Sequence, residues 1–483
     1  MISKTIIKII TIVTALFYTG IITGWHLYTP RRELSIQVPG ADNRPEGTAR
    51  GIHDVHIGEH FMRYSETASS DLTGRWLRFR GVNSDNIIVA SETLNLSEED
   101  FPVLWSIETG DGYAAPVIYD GKAYFLDYVE ALNSDALRCF ELETGRELWR
   151  RWYRSPMRRN HGFSRTVPAI DEDYIITIGP KGHVMCCDPI TGELKWTLDM
   201  QKEFGSKIPD WWLGQCPLVY NGVLVLATVG EEILMAGIDV YTGEILWTTP
   251  TTTNTAQFSQ SHSSIMQMIV AGKRMYVYIA LGGVFGVSAE EYDHGTLLWS
   301  TDAWRPFIAG VASPVQLSSN RIFVTGGYNV GGAILEVNRQ GAGWMVSIIE
   351  QYRPNEGLSS EQHTPILYNN IIIATIPKSG GAMSRERIAL YSSTNLRTPL
   401  WISGSDEVRS SLGPYMVINN HFFLFTENGE LFVYEILQQS MKLVKRQQIM
   451  DGANAFGPMA YADGILIVRD DHNMVGVKIF ENR

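Results

Sequence analysis

PLVYNGVLVLATVGEEILMAGIDVYTGEILW, Pro217–Trp247, carries one full unit of a pattern that returns through most of this chain. A small residue and a proline lead into an apolar strand, a two-residue turn reverses it, and a second apolar strand follows. A Thr-Gly turn then introduces a strand ending in Trp. The proline-type anchors are Pro116, Pro168, Pro217, Ile265 in place of proline, Pro314, Pro365, Pro414 and Pro458, about 49 residues apart. The turn pairs after them are Asp120-Gly121, Glu172-Asp173, Asn221-Gly222, Ala271-Gly272, Ser319-Asn320, Asn369-Asn370, Asn419-Asn420 and Asp463-Gly464. Most are residue types that tolerate positive φ, as tight hairpins require. Eight returns of short strands at this period predict an all-β fold, an eight-bladed β-propeller.

The repeat overrides the usual expectation that 483 residues divide into several domains, because each blade buries its apolar face only against its neighbours. A hydrophobic content of 45% with 13 Trp is ample for such a core. The net charge of −12 comes without a long acidic or basic run. No basic stripe is present to neutralise phosphates, so a nucleic-acid partner is not expected. Four cysteines do not make a disulfide scaffold.

Three parts follow: an anchor or signal segment over 1–30, a linker over 31–75, and the propeller over 76–483. Ile9 to Pro30 carries no charged side chain apart from a titratable His26, long enough for a membrane-spanning helix. Lys4 and Lys8 precede it, Arg31 and Arg32 follow, and Trp25 and Tyr28 sit where interfacial aromatics belong. A cleaved signal peptide is the alternative; no small-x-small cleavage site stands out. Either way the bulk of the chain is expected outside the cytoplasm, on a cell membrane's periplasmic side. Within the propeller, Leu104-Trp105 reads as a fourth strand without its first three. The segment Pro458 to Phe480 reads as three strands without a fourth. Pairing these pieces closes the ring and leaves no open edge.

Between blades stand Thr144-Gly145 to Trp149, Thr191-Gly192 to Trp196, and Thr242-Gly243 to Trp247. His294-Gly295 to Trp299 is a worn copy, and another ends at Trp401. An acidic residue, Glu141, Asp188 or Asp239, sits three before each Thr. The Gly permits the turn and the Trp fills the wedge between blades. This pattern resembles the repeat of quinoprotein (pyrroloquinoline quinone, PQQ) alcohol dehydrogenase-like propellers. The opening Trp76-Leu77-Arg78-Phe79-Arg80-Gly81-Val82-Asn83-Ser84-Asp85 is similar to that of exported PQQ-binding-like repeat proteins, a subgroup mostly without an assigned activity. The same fold serves the lipoprotein of the outer-membrane protein assembly machinery, which binds proteins and no quinone, so the fold does not set the function.

The dehydrogenase resemblance implies PQQ with Ca²⁺ and adjacent cysteines beside the cofactor, which Cys186-Cys187 would supply. The register argues otherwise. Cys186 lies five residues before Thr191, and Cys139 five before Thr144, so both take the same third-strand core slot. No Cys-x-x-Cys-His haem motif occurs, and no Ca²⁺-binding Glu/Asn pair or catalytic Asp motif matches residue by residue. No cofactor, catalytic residue or metal ligand is therefore expected. His53, His56 and His60 have spacing that would share a helical face, but as an isolated cluster they read better as polar surface.

Residues just before each anchor ring the mouth of the central channel, and here they are polar and aromatic. Arg158, Arg159, Asn160, His161 and Arg165 come from blade two, and Asp210, Trp211, Trp212 and Gln215 from blade three. Gln260 and His262 come from blade four, and Glu361, Gln362 and His363 from blade six. Three imidazoles with Arg and Trp suit an anion, a sugar or a quinone-like ring. The expected role is a noncatalytic binding or scaffold module for a protein partner or surface glycan. PQQ-dependent oxidation and carbohydrate binding are the alternatives.

Overall fold

The computed structural model describes residues 3–28, 55–65, 71–97, 99–377, 386–404 and 413–480. It divides into two units, 1–55 and 56–483. In the first, Lys4–Tyr28 is a single helix. Its Lys4–Trp25 portion is long and apolar enough to cross a membrane, and the described side chains in it are exposed. A helix end of this kind is either an anchor or a signal segment.

The second unit is an eight-bladed β-propeller. Among the described residues, eight sheets follow one another along the chain. Blade two, for example, is Ala169–Asp171, Tyr174–Ile178, His183–Cys187 and Leu194–Asp199, paired in that order. Five of the predicted turn pairs have positive φ at both positions: Asp120-Gly121, Asn221-Gly222, Ala271-Gly272, Asn369-Asn370 and Asp463-Gly464. Glu172-Asp173 and Ser319-Asn320 turn without it. Glu, Ser and Asp in these pairs meet no requirement for the left-handed region.

The ring closes as the half-blades at the two ends require. Val103–Glu108 pairs antiparallel with Asn473–Lys478, with Trp105 opposite Gly476. Arg469, only 1% exposed, locks this seam by donating to Ala114 O at 2.8 Å and to Gly110 O at 3.2 Å, across in blade one. Within the stretch read as linker, His60–Arg63 forms a strand on the outer edge of blade one, opposite Trp149–Trp152. His56 lies at a turn and His60 in this strand, so they share no helical face; His53 lies outside the described residues.

The Thr-Gly turns lock blade to blade. Asp188 Oδ1 accepts from the Thr191 amide at 2.7 Å, and Asp239 Oδ1 from the Thr242 amide at 2.9 Å, which accounts for the acidic residue before each Thr. The turn glycines take positive φ and lie flat on a Trp of the preceding blade. A Cβ on Gly145 would stand 2.7 Å from Trp105, on Gly192 3.1 Å from Trp149, on Gly243 2.8 Å from Trp196, and on Gly295 2.6 Å from Trp247. Trp105 and Trp196 also donate Nε1–H to Leu142 O and Val240 O of the next blade. The other face of each ring covers a small residue on the neighbouring strand of its own blade. Trp149 pairs with Cys139, Trp196 with Cys186, Trp247 with Gly237 and Trp299 with Gly286. Cys139 and Cys186 thus occupy one equivalent core slot, fully buried. Trp149 and Trp299 are buried, whereas Trp196, Trp247 and Trp401 pack against their clusters while partly exposed.

A second belt accounts for the Cys, Ser, Ser and Thr before the anchors of blades three to six. The amide of Val167 donates to Cys216 Sγ, Cys216 to Ser264 Oγ, Ser264 to Ser313 Oγ and Ser313 to Thr364 Oγ1, at 2.8–3.2 Å. Each link joins equivalent positions of consecutive blades, so five blades are hydrogen-bonded around the channel wall.

Two outcomes follow for stability. Trp149→Ala removes a fully buried wedge and is expected to cost about 3–5 kcal/mol in chemical denaturation; a loss below about 1 kcal/mol would mark a surface role. Deleting residues 473–483 unseats the closing strand. Size-exclusion chromatography should then show association through the exposed edge; a monomer with an unchanged melting transition would contradict the closure.

Candidate functional site

The segment Trp76–Ile88 runs across one end of the channel and forms the floor of the site. Trp76 exchanges backbone hydrogen bonds with Ile118 of blade one, and Leu77 O accepts from Ile170 of blade two. Arg78 reaches Val219 O of blade three. Arg80, 5% exposed, donates to Thr364 O at 2.8 Å and Pro365 O at 3.3 Å in blade six, and to Ser84 O and Asp85 O of its own segment. Ile87-Ile88 then pairs in parallel with Val417-Ile418 of blade seven. The segment whose sequence resembles an exported-protein signature is thus a plug that ties the blades together from inside.

Above this floor lies a cavity of about 330 Å³. All eight blades line it, through residues at or near the anchors. His161, Arg165, Trp211, His262, Glu361, Gln362 and His363 are among them, so seven of the side chains expected at the mouth converge there. Arg158, Arg159, Asn160, Asp210, Trp212, Gln215 and Gln260 do not. Gln215 is spent on the Ala227 backbone at 2.8 and 2.9 Å, and Gln260 on Ala227 O and Thr228 O. Both amides hold a loop in place of the missing ladder partners. Phe79, Arg80, Asn86, Tyr113, Tyr328, Tyr415 and Phe456 complete the wall. None was singled out from sequence. Only the unusual Trp76–Asp85 segment offered a signal for Arg80, and nothing local distinguished Tyr328.

The aromatic side of the cavity is organised around Trp211. Tyr328 is stacked with it at 6.1 Å and 8°, His262 lies at 6.0 Å, and His161 meets it edge-on at 6.1 Å. Trp211, His161 and Tyr328 all have positive φ, at 63°, 52° and 55°. Left-handed backbone is costly for bulky side chains and clusters at binding and catalytic sites. Trp211 touches both of the others, and all three line one cavity.

The opposite character is cationic and under-satisfied. Arg165 gives its guanidinium to His161 O at 2.8 Å and Asn160 O at 3.3 Å, leaving a buried Nε without a partner. His262 donates from Nε2 to Asp210 O at 2.8 Å, so its buried Nδ1 is a free acceptor in the neutral ring. His363 Nε2 is likewise buried and unpartnered. Burial, helped by the nearby Arg165 charge, lowers His262 to about 4; burial, with Arg80, lowers His363 to about 3. Burial brings both Arg80 and Arg165 down to about 10, still charged at neutral pH. Glu361 is the carboxylate of the lining.

The adjacent cysteines that the dehydrogenase resemblance implies beside a quinone are not found at this cavity. Cys186 and Cys187 are fully buried in blade two and are not part of the cavity wall; Cys216 is the cysteine there. Among the described residues, no three His, Cys, Asp or Glu side chains group with metal-ligand geometry.

The unfolded chain protonates its histidines near pH 6.5, roughly, while His262 and His363 stay neutral in the fold. Between about pH 6.5 and 4 the unfolded state therefore binds more protons, and stability falls with falling pH. Asp135, which burial pushes up to about 7, slopes oppositely. The difference curve between wild type and the His262→Gln, His363→Gln double variant isolates the effect. Stability measured from pH 7 to 4 should decline less in the double variant; parallel curves would contradict the buried neutral imidazoles.

A family profile described as outer membrane protein assembly factor BamB matches residues 133–372. Among curated proteins no sequence matches. Several solved structures share the fold. A europium-containing methanol dehydrogenase aligns at 11% identity and TM-score 0.55, over 84% of this chain and 90% of its own. The quinohemoprotein alcohol dehydrogenase of Comamonas testosteroni aligns at 11% identity and TM-score 0.54, over 85% and 81%. BamB of Moraxella catarrhalis aligns at 12% identity and TM-score 0.50, over 80% and 99%.

Proposed function

We propose that this eight-bladed β-propeller, which shares its fold with PQQ-like propeller proteins, is a noncatalytic binding module whose ligand or partner segment enters the mouth of the central channel. The observation that carries the reading is the convergence of unpartnered polar nitrogens and strained aromatic residues on one cavity. A scaffold alone gains nothing from leaving buried donors and acceptors unsatisfied, since each costs about 1–3 kcal/mol. A bound group would satisfy them.

The helix Lys4–Tyr28 supports export, with the propeller outside the cytoplasm, held by an uncleaved anchor or released after cleavage. The matched family is described as an outer-membrane assembly factor, and the dehydrogenases share the fold alone. The cavity supplies no adjacent cysteines and no cluster of metal-binding carboxylates for the redox alternative. A glycan would use the Trp211 and Tyr328 faces, but the guanidinium charges of buried Arg80 and partly buried Arg165 favour an acidic ligand over a neutral sugar.

The test is incubation of the full chain with PQQ and Ca²⁺, followed by dye-linked oxidation of a panel of alcohols. No turnover above background is expected. Turnover that is abolished by Trp211→Ala would overturn the noncatalytic reading.

A further inference from the structure

The chemistry of the cavity narrows what can fill it, taking the channel-mouth reading as its starting point. Two arginines face a cavity whose lining offers one carboxylate, Glu361. Arg80 spends its donors on four backbone carbonyls, so it is held as a fixed positive charge in the floor. Arg165 retains an unpartnered Nε; the carboxylate whose charge reaches it, Asp111, is ion-paired with Arg159. Buried charge without a counter-ion is costly, and an anion in the cavity offsets that cost. The buried imidazoles of His262 and His363 add hydrogen-bonding capacity and no charge. With Glu361 in the same wall, the local charge suits a single negative charge and disfavours a dianion such as phosphate.

His262 sharpens the ligand further. The ring is 7% exposed, its Nε2–H is committed to a carbonyl, and its Nδ1 lone pair has no donor. An acceptor of this kind calls for an N–H or O–H on the ligand. The stacked Trp211 and Tyr328 call for an apolar or aromatic body. Tyr328 is 41% exposed, and Phe307 and Ile308, 70% and 50% exposed, precede the lining residue Ala309, so the apolar surface continues outward from the cavity.

We propose that the cavity binds a monocarboxylate that carries an N–H or O–H donor and an apolar or aromatic body. The carboxylate sits against the Arg165 guanidinium, the donor faces His262 Nδ1, and the body lies against Trp211 and Tyr328. This is the chemistry of an aromatic N-acylamino acid and equally of a peptide ending in an aromatic residue. A volume of about 330 Å³ accommodates the terminal residue of either.

Binding to the full chain can be followed by calorimetry with four probes: N-acetyl-L-phenylalanine, its amide, the tetrapeptide Ala-Ala-Ala-Phe with a free carboxy terminus, and inorganic phosphate. The free acid or the tetrapeptide should bind, the amide at least about tenfold more weakly, and phosphate should not compete. Tetrapeptide binding assigns the site to a polypeptide terminus; binding of the acid with exclusion of the tetrapeptide assigns it to a small organic acid. Arg165→Gln should abolish acid binding and Arg165→Lys should restore part of it. Tyr328→Ala, at an exposed position that leaves folding intact, should weaken it about fivefold. Equal affinity for acid and amide, displacement by phosphate, or no binding of any probe at about millimolar concentration would overturn the inference. The alcohol-oxidation assay judges the noncatalytic reading separately: silence of every probe with no turnover removes the ligand class and leaves that reading standing.

Discussion

The indole ring wedged under the next blade's turn glycine is the contact on which the rest of the molecule depends. A propeller blade is a small twisted sheet with two apolar faces, and it gains stability only when neighbours cover them. Trp105, Trp149, Trp196 and Trp247 supply that cover at four successive interfaces, from the closing blade through blade four. The geometry leaves no room for a side chain on the turn side of the ring and room for only a small one on the other. The turn residue must be glycine because its Cβ would overlap the indole and its φ is positive. The facing residue on the adjacent strand must be small, which is why cysteine or glycine stands there. One steric requirement thus fixes three sequence positions at each of these four interfaces and spaces the blades on either side.

That outer spacing sets the inner wall. Blades held at constant separation bring their first strands together around the channel, and the hydrogen-bond belt from Val167 to Thr364 follows. The plug formed by Trp76–Ile88 then blocks one end and leaves a blind cavity at the other. Rigidity of this frame lets the mouth tolerate features a looser fold would relax away: three bulky left-handed residues and a guanidinium without a counter-ion. Strain and under-satisfaction persist where the surroundings over-determine the backbone. In this protein the left-handed His161, Trp211 and Tyr328 and the unpartnered Arg165 Nε belong to residues of one cavity wall.

The sequence by itself determined the blade number, the strand order and the way the ring closes. These properties are written in period and register, through the anchors from Pro116 to Pro458 and the half-blades around Trp105 and Val475, and the structure carries all of them. It also determined the equivalence of Cys139 and Cys186, because residues in the same slot of a repeat share an environment. The polar character of the mouth was legible in the same way, through what precedes each anchor. Which of those residues face the cavity was decided only by the tertiary structure. Gln215 and Gln260 carry the same polar signal as His262, but local backbone amides and carbonyls capture their side chains. The floor under the site, the pairing of Trp211 with Tyr328 and the isolation of Arg165 bring together blades separated by more than a hundred residues or a segment ahead of all the repeats. Periodicity records what neighbouring blades have in common; the cavity is built from the positions where they differ, and only closure of the ring brings those positions together.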